Sequence, residues 1–132
     1  MAHYLDTSAL AKLVVAEPES DALRTWLLAD DRGPVACDLA RTELLRAVRR
    51  VAPDRAVRAR EVLDRVTLLT VTSATFDAAG RLDPPALRTL DAVHLAAALV
   101  LGDDLDGLVS YDQRLADAAR LHGVAVLAPG SA

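Results

Sequence analysis

The chain has 132 residues, 52% of them hydrophobic, which suits one folded domain with a sizeable core and excludes a disordered chain. Its net charge of −4 argues against a generally basic nucleic-acid binder, and its single cysteine excludes an internal disulfide framework and a Cys-based zinc site. No apolar stretch approaches the ~20 residues of a membrane span, and no basic and apolar leader opens the chain, so a reducing, cytoplasmic setting without membrane contact is expected.

In chain order, Ala2 to Leu5 form a short first strand. Ala9, Leu10, Leu13 and Val14 then follow a helical spacing over residues 8–16. Pro18 interrupts, and a second helix over 19–30 carries Leu23, Trp26 and Leu27 on one face. A turn at 30–34 leads to a strand at 35–37, with Asp38 placed to cap a helix over 39–51. Pro53 opens an arginine-rich fourth helix over 53–65. A β stretch at 66–71 follows, then a helix capped by Thr72 or Ser73 that ends near Leu82. Consecutive prolines make 83–85 a loop. The most apolar helix, 90–102, is buried nearly all round and has Gly102 as its C-cap candidate. A strand at 107–110, a helix over 113–122 stopped by Gly123, and a last strand at 124–127 complete the chain before the tail at 129–132. Alternation of strand and helix predicts an α/β/α sandwich whose central, mostly parallel sheet has about five strands. No repeat or linker divides the single domain, 1–132.

Four acids occupy unusual places. Asp6 and Asp112 each follow a predicted strand at its carboxyl end. Asp91 opens the most apolar helix, and Glu43 lies inside the third. Taken singly, the three aspartates read as helix caps and Glu43 as a surface residue. In a parallel sheet, however, all strand C-termini face one edge, and ligands bind there. Carboxylates gathered within a few Å repel unless a cation compensates, a role that suits Mg²⁺ and its preference for a few carboxylates plus water. Spacing alone leaves both readings open.

Four stretches together are more specific than any one acid. Tyr4-Leu5-Asp6-Thr7-Ser8-Ala9-Leu10, Arg41-Thr42-Glu43-Leu44, Leu87-Arg88-Thr89-Leu90-Asp91-Ala92-Val93-His94-Leu95-Ala96 and Val109-Ser110-Tyr111-Asp112-Gln113-Arg114-Leu115 resemble, in order and spacing, the successive motifs of PIN-domain ribonucleases, above all the VapC toxins of bacterial toxin–antitoxin pairs. The resemblance runs from Tyr4 to Gly130. It implies a PIN-like, Rossmann-like fold and a Mg²⁺ site, with Mn²⁺ as a substitute, formed by Asp6, Glu43, Asp91 and Asp112. Asp6 and Asp91 are the expected principal ligands. Thr7, Ser8 and Ser110 are expected to hold ligands or waters from behind, or to serve as caps. Thr7 or Ser8 closing the first helix would leave Asp6 free for the ion. Metal-dependent cleavage of RNA, a cognate VapB-type antitoxin and a homodimer are implied in the same way.

His94 lies one turn from Asp91 in an alanine-rich helix and reads as a hydrogen-bonded core histidine rather than a general base. Cys37 reads as an inert buried thiol, Trp26 as helix core, and His3 and His122 as unremarkable. Between residues 41 and 60 seven arginines face only Glu43 and Asp54, a band suited to RNA phosphates, an acidic partner or plain solvation. Competing readings fare worse. A haloacid-dehalogenase-type phosphatase needs a second aspartate where Ser8 stands. A receiver domain needs an acid after the third strand and a later lysine, whereas the only lysine is Lys12. A PIN nuclease of RNA processing without an antitoxin, and a non-enzymatic α/β binding module, remain as alternatives.

Overall fold

The computed structural model describes residues 1–131. Five strands, β1 (Ala2–Leu5), β2 (Pro34–Cys37), β3 (Thr67–Leu69), β4 (Leu105–Val109) and β5 (Val126–Leu127), form one sheet in the order β3-β2-β1-β4-β5. Every pairing is parallel. Seven α-helices connect and cover them: α1 (Thr7–Lys12), α2 (Ser20–Leu28), α3 (Leu39–Val51), α4 (Ala56–Asp64), α5 (Ser73–Ala79), α6 (Thr89–Leu99) and α7 (Gln113–Leu121). This is the expected α/β/α architecture, with a wholly parallel sheet. No helix among the described residues is long and apolar enough to cross a membrane.

The central strands β1, β2 and β4 carry buried residues on both faces, as parallel sheets favour. Alternate residues therefore enter different cores. Leu5, Ala36 and Val109 pack with Leu10, Leu44 and Leu63. Tyr4, Val35, Cys37 and Leu108 pack with Leu95, Ala98 and Leu115 on the other side. The three alanines at 96–98 and Leu95 leave α6 buried, as its composition predicted. Gly33 is needed where β2 starts against β1. Its φ is +55°, and a Cβ there would lie 2.3 Å from the Met1 carbonyl oxygen.

Element ends differ from the sequence reading for local reasons. Helix α1 stops at Lys12, short of the predicted end, and Lys12 Nζ pairs with Glu17 (2.7 Å) and Glu19 (2.9 Å) on either side of Pro18. The fourth helix begins as a 3-10 turn at Pro53–Arg55. The outer strands β3 and β5 are short because each pairs on one side only, over three and two residues. Helix α5 ends at Ala79, with Thr72 Oγ1 accepting from the Thr75 N–H at 3.2 Å. Helix α6 ends at Leu99, and Gly102 (φ +54°) opens a 3-10 turn, Gly102–Asp104, rather than lying within the helix. Strand β4 starts at Leu105, across a register irregularity between Ala2 and His3. Asp38 does not cap α3; its Oδ1 instead accepts from the Val71 N–H (3.3 Å), tying the end of β2 to the chain leaving β3.

The placement of β1 is decisive. From β1 the chain builds β2 and β3 on one side, then crosses through α6 to build β4 and β5 on the other. The carboxyl end of β1 is thus the switch point of the sheet, where α/β folds open a crevice.

Candidate active site

Strand β1 delivers Asp6 to that switch point, and β4 delivers Ser110 and Asp112 beside it. Leu5 and Val109 are register partners, and the Asp6 N–H donates to the Val109 carbonyl at 3.2 Å. The local chain forces this: a strand must end before a helix can start, and Asp6 and Asp112 are the N-caps of α1 and α7. Asp6 Oδ1 accepts from the Ala9 N–H (3.0 Å). Asp112 Oδ1 accepts from the N–H groups of Arg114 (2.9 Å) and Leu115 (3.3 Å). Asp6 itself therefore closes α1, not Thr7 or Ser8. Capping uses Oδ1 of each and leaves Oδ2 outside the cap, so a cap role does not by itself exclude a ligand role.

The hydroxyl groups act on these acids. Ser8 donates to Asp6 Oδ1 (2.6 Å) and Ser110 to Asp6 Oδ2 (2.6 Å). The same two serines accept from the N–H groups of Tyr111 (3.0 Å) and Asp112 (3.1 Å), which ties the β4–α7 turn to Asp6. Asp6 is 4% exposed and, among the described residues, has no ion-pair partner. Burial pushes its carboxyl above the usual range, held back by the hydrogen bonds from Ser110, Ser8 and Ala9.

Helix α3 carries Glu43 in on the other side. Thr7 donates to Glu43 Oε1 (3.0 Å), and His94 Nε2 lies 2.5 Å from the same oxygen. His94 is 2% exposed, and its Nδ1 faces the Tyr4 hydroxyl at 2.7 Å and Cys37 Sγ at 3.7 Å. Burial opposes a charge on His94. Hydrogen bonds with Cys37 and Glu43, and their negative charge, outweigh it and push His94 up to about 10. Burial raises Glu43 in turn, but the His94 and Thr7 hydrogen bonds hold it below its ordinary value. His94 is thus a core histidine whose outer nitrogen reaches a candidate ligand. Cys37 is fully buried.

Asp91, in the first turn of α6, meets a cation from its own chain. Arg88 Nε donates to Asp91 Oδ2 (2.9 Å), while its Nη2 donates to Asp112 Oδ2 (2.6 Å). Glu43, Arg88, Thr89, Leu90 and Asp91 line one surface pocket. The four acids are therefore joined at one sheet edge through Thr7, His94, Ser110 and Arg88. Arg88, His94 and Tyr4 were not singled out as site residues from sequence. For Arg88 the signal was a basic residue just before a helix whose first turn carries Asp91.

The donors facing the crevice are all carboxylate or hydroxyl oxygens, the chemistry that hard divalent cations take. As they stand, no three carboxylate, imidazole or thiol groups among the described residues lie close enough to hold one ion together. Two of the acids are instead bridged by Arg88, and the most buried, Asp6, lacks any cation. The donor set fits Mg²⁺ in type.

A PIN-domain family model matches residues 3–121. The chain belongs to the PIN-domain family. This PIN domain is 49% identical over 127 residues to Ribonuclease VapC46 of Mycobacterium tuberculosis, covering 96% of each chain. It is 41% identical to Ribonuclease VapC47 and 43% identical to Ribonuclease VapC35 of the same species, covering 97% and 98% of each chain. The PIN fold also matches the crystal structure of M. tuberculosis VapC20, a sarcin-ricin loop cleaving toxin, with a TM-score of 0.73 at 19% identity. That match spans 88% of this chain and 94% of VapC20.

Proposed function

We propose that this PIN domain is a Mg²⁺-dependent endoribonuclease, the toxin of a type II toxin–antitoxin module, held in check by a VapB-type antitoxin. One observation carries the reading: Asp6 and Asp112 cap helices at the carboxyl ends of neighbouring strands, with Asp91 tied to Asp112 through Arg88, in a chain whose near-full-length relatives are VapC ribonucleases.

Asp6 and Asp91 would be the principal ligands of the ion, and Glu43 and Asp112 would complete the set or orient a water. When bound, Mg²⁺ or Mn²⁺ supplies Lewis-acid chemistry, activating water and neutralising charge at the phosphoryl oxygens. The chain's own residues supply order. Ser8 and Ser110 hold the two oxygens of Asp6, and Thr7 and His94 hold Oε1 of Glu43, so these two carboxylates are positioned before RNA arrives.

The arginine band supplies attraction. Arg41, Arg46, Arg49, Arg50, Arg55 and Arg60 are exposed, and none is in an ion pair among the described residues. Only Arg58 is partly buried, bonding the Leu13 carbonyl and Glu61. Free guanidinium groups on α3 and α4 suit RNA phosphates on an otherwise acidic protein. The exposed Val51 and Val57 beside them offer apolar contacts to the antitoxin or to a second copy in a homodimer. The expected setting is the cytoplasm, where its RNA is.

The test is purified Asp6→Asn protein. RNA cleavage with Mg²⁺ and growth arrest on expression should both vanish while the circular dichroism spectrum is unchanged. Wild-type cleavage by Asp6→Asn would overturn the assignment, and growth arrest that the neighbouring antitoxin product fails to relieve would overturn the toxin–antitoxin reading.

A further inference from the structure

We propose that Arg88 is a built-in counter-cation of the acidic site, which a divalent ion must displace in order to bind; this rests on the metal-site reading above. Arg88 directly precedes α6 in extended backbone (φ −61°, ψ 147°), so its side chain runs beside the helix start rather than along the helix face. From there one guanidinium reaches two acids. Nε takes Asp91 Oδ2 at 2.9 Å, and Nη2 takes Asp112 Oδ2 at 2.6 Å. The two carboxylates belong to different helices and lie 21 positions apart in sequence.

The oxygens are the decisive detail. Asp112 Oδ1 is committed to capping α7, so Oδ2 is the oxygen that faces the site, and Arg88 holds it. A divalent ion on Oδ2 of Asp91 and Asp112 would lie against the Arg88 guanidinium, and two cations that close, sharing the same oxygens, repel. The carboxylates are largely buried, 15% and 25% exposed, while the Arg88 side chain is 58% exposed. Its guanidinium makes no other hydrogen bond among the described residues. Arg88 is thus tethered to the site only through the acids themselves. The Arg88 end of each pair is open to solvent, so a doubly charged ion, drawn also by Asp6, displaces Arg88 at a cost in affinity. The bridge gives the metal-free protein a compensated acid cluster and sets the metal affinity lower than the acids alone would.

Mn²⁺ binding measured by electron paramagnetic resonance, which counts free ion directly, tests this on the full chain. Arg88→Gln should bind Mn²⁺ about tenfold more tightly than wild type. Arg88→Lys keeps the charge but loses the planar fork in which Nε and Nη2 each hold one acid, and should bind a few-fold more tightly. It also serves if Arg88→Gln fails to fold. Equal affinity in Arg88→Lys and wild type would reduce any gain in Arg88→Gln to a general field effect and overturn the proposal, as would equal affinity in all three. Asp6→Asn separates the two layers. Loss of Mn²⁺ binding in Asp6→Asn with no gain in either Arg88 variant overturns the role of Arg88 alone. Unchanged binding in Asp6→Asn places the ion elsewhere and overturns the site reading together with the proposal.

Discussion

Ser110 donates its hydroxyl proton to Asp6 Oδ2 at 2.6 Å, joining two residues 104 positions apart at the ends of neighbouring strands. The pairing of Leu5 with Val109 brings the two side chains within reach of each other. Removing it should therefore act on the site and not on the fold. Ser110→Ala is expected to lower metal affinity or cleavage by about 10- to 100-fold, the usual cost of losing a partner that orients a ligand. Mn²⁺ titration and RNA cleavage at saturating metal separate the two effects. A change under twofold in both would show that Ser110 only shapes the turn.

His94 serves structure and site together. In His94→Leu, Glu43 keeps only Thr7, and the buried Tyr4 hydroxyl loses its partner. A loss of about 2–3 kcal/mol in urea unfolding is expected, from stranded buried polar groups. Cleavage should fall further than the unfolded fraction explains, because Glu43 is no longer held. Unchanged stability would mean that water replaces the imidazole.

The arginine band makes a separate prediction. Arg46→Glu with Arg50→Glu changes exposed side chains, so stability should move by less than about 0.5 kcal/mol per site. RNA affinity should drop, and the slope of its logarithm against log salt should flatten by about one for each phosphate the band no longer neutralises. An unaltered slope would assign the band to a protein partner.

Chelation should silence the nuclease without unfolding it. Mg²⁺ or Mn²⁺ should restore cleavage and raise the melting temperature in step with its concentration. A ligand at 100 times its Kd adds about 2.7 kcal/mol to a folded state that alone binds it. Asp6→Asn should abolish this stabilisation. Full cleavage in chelator would remove metal from the mechanism.

Much of this protein is legible in its sequence because the information is local. Strand–helix alternation predicted the α/β/α sandwich and the order of its elements. Residues 39–51 form α3 with the predicted ends, since β2 ends at Cys37 just before it and Pro53 follows it closely. Other ends shifted by up to four residues, where a turn or an unpaired strand edge decided the limit. Asp6 and Asp112 stood out for a local reason as well: each lies where a strand must become a helix. Their identity as caps and their interest as ligands were both readable, although they looked like competing explanations.

Sequence by itself thus determined the fold class, the family and four acids that could act together, because periodicity, turn residues and motif spacing are properties of neighbours along the chain. Tertiary structure alone decided how those acids are held. Pairing of β1 with β4 places Ser110 on Asp6, burial of α6 brings His94 under Glu43, and the approach of α6 to α7 lets Arg88 bridge Asp91 and Asp112. A carboxylate has two oxygens that face different ways. Which of them caps a helix and which faces the crevice depends on the three-dimensional position of donors far away in the chain, and no spacing in the sequence encodes that.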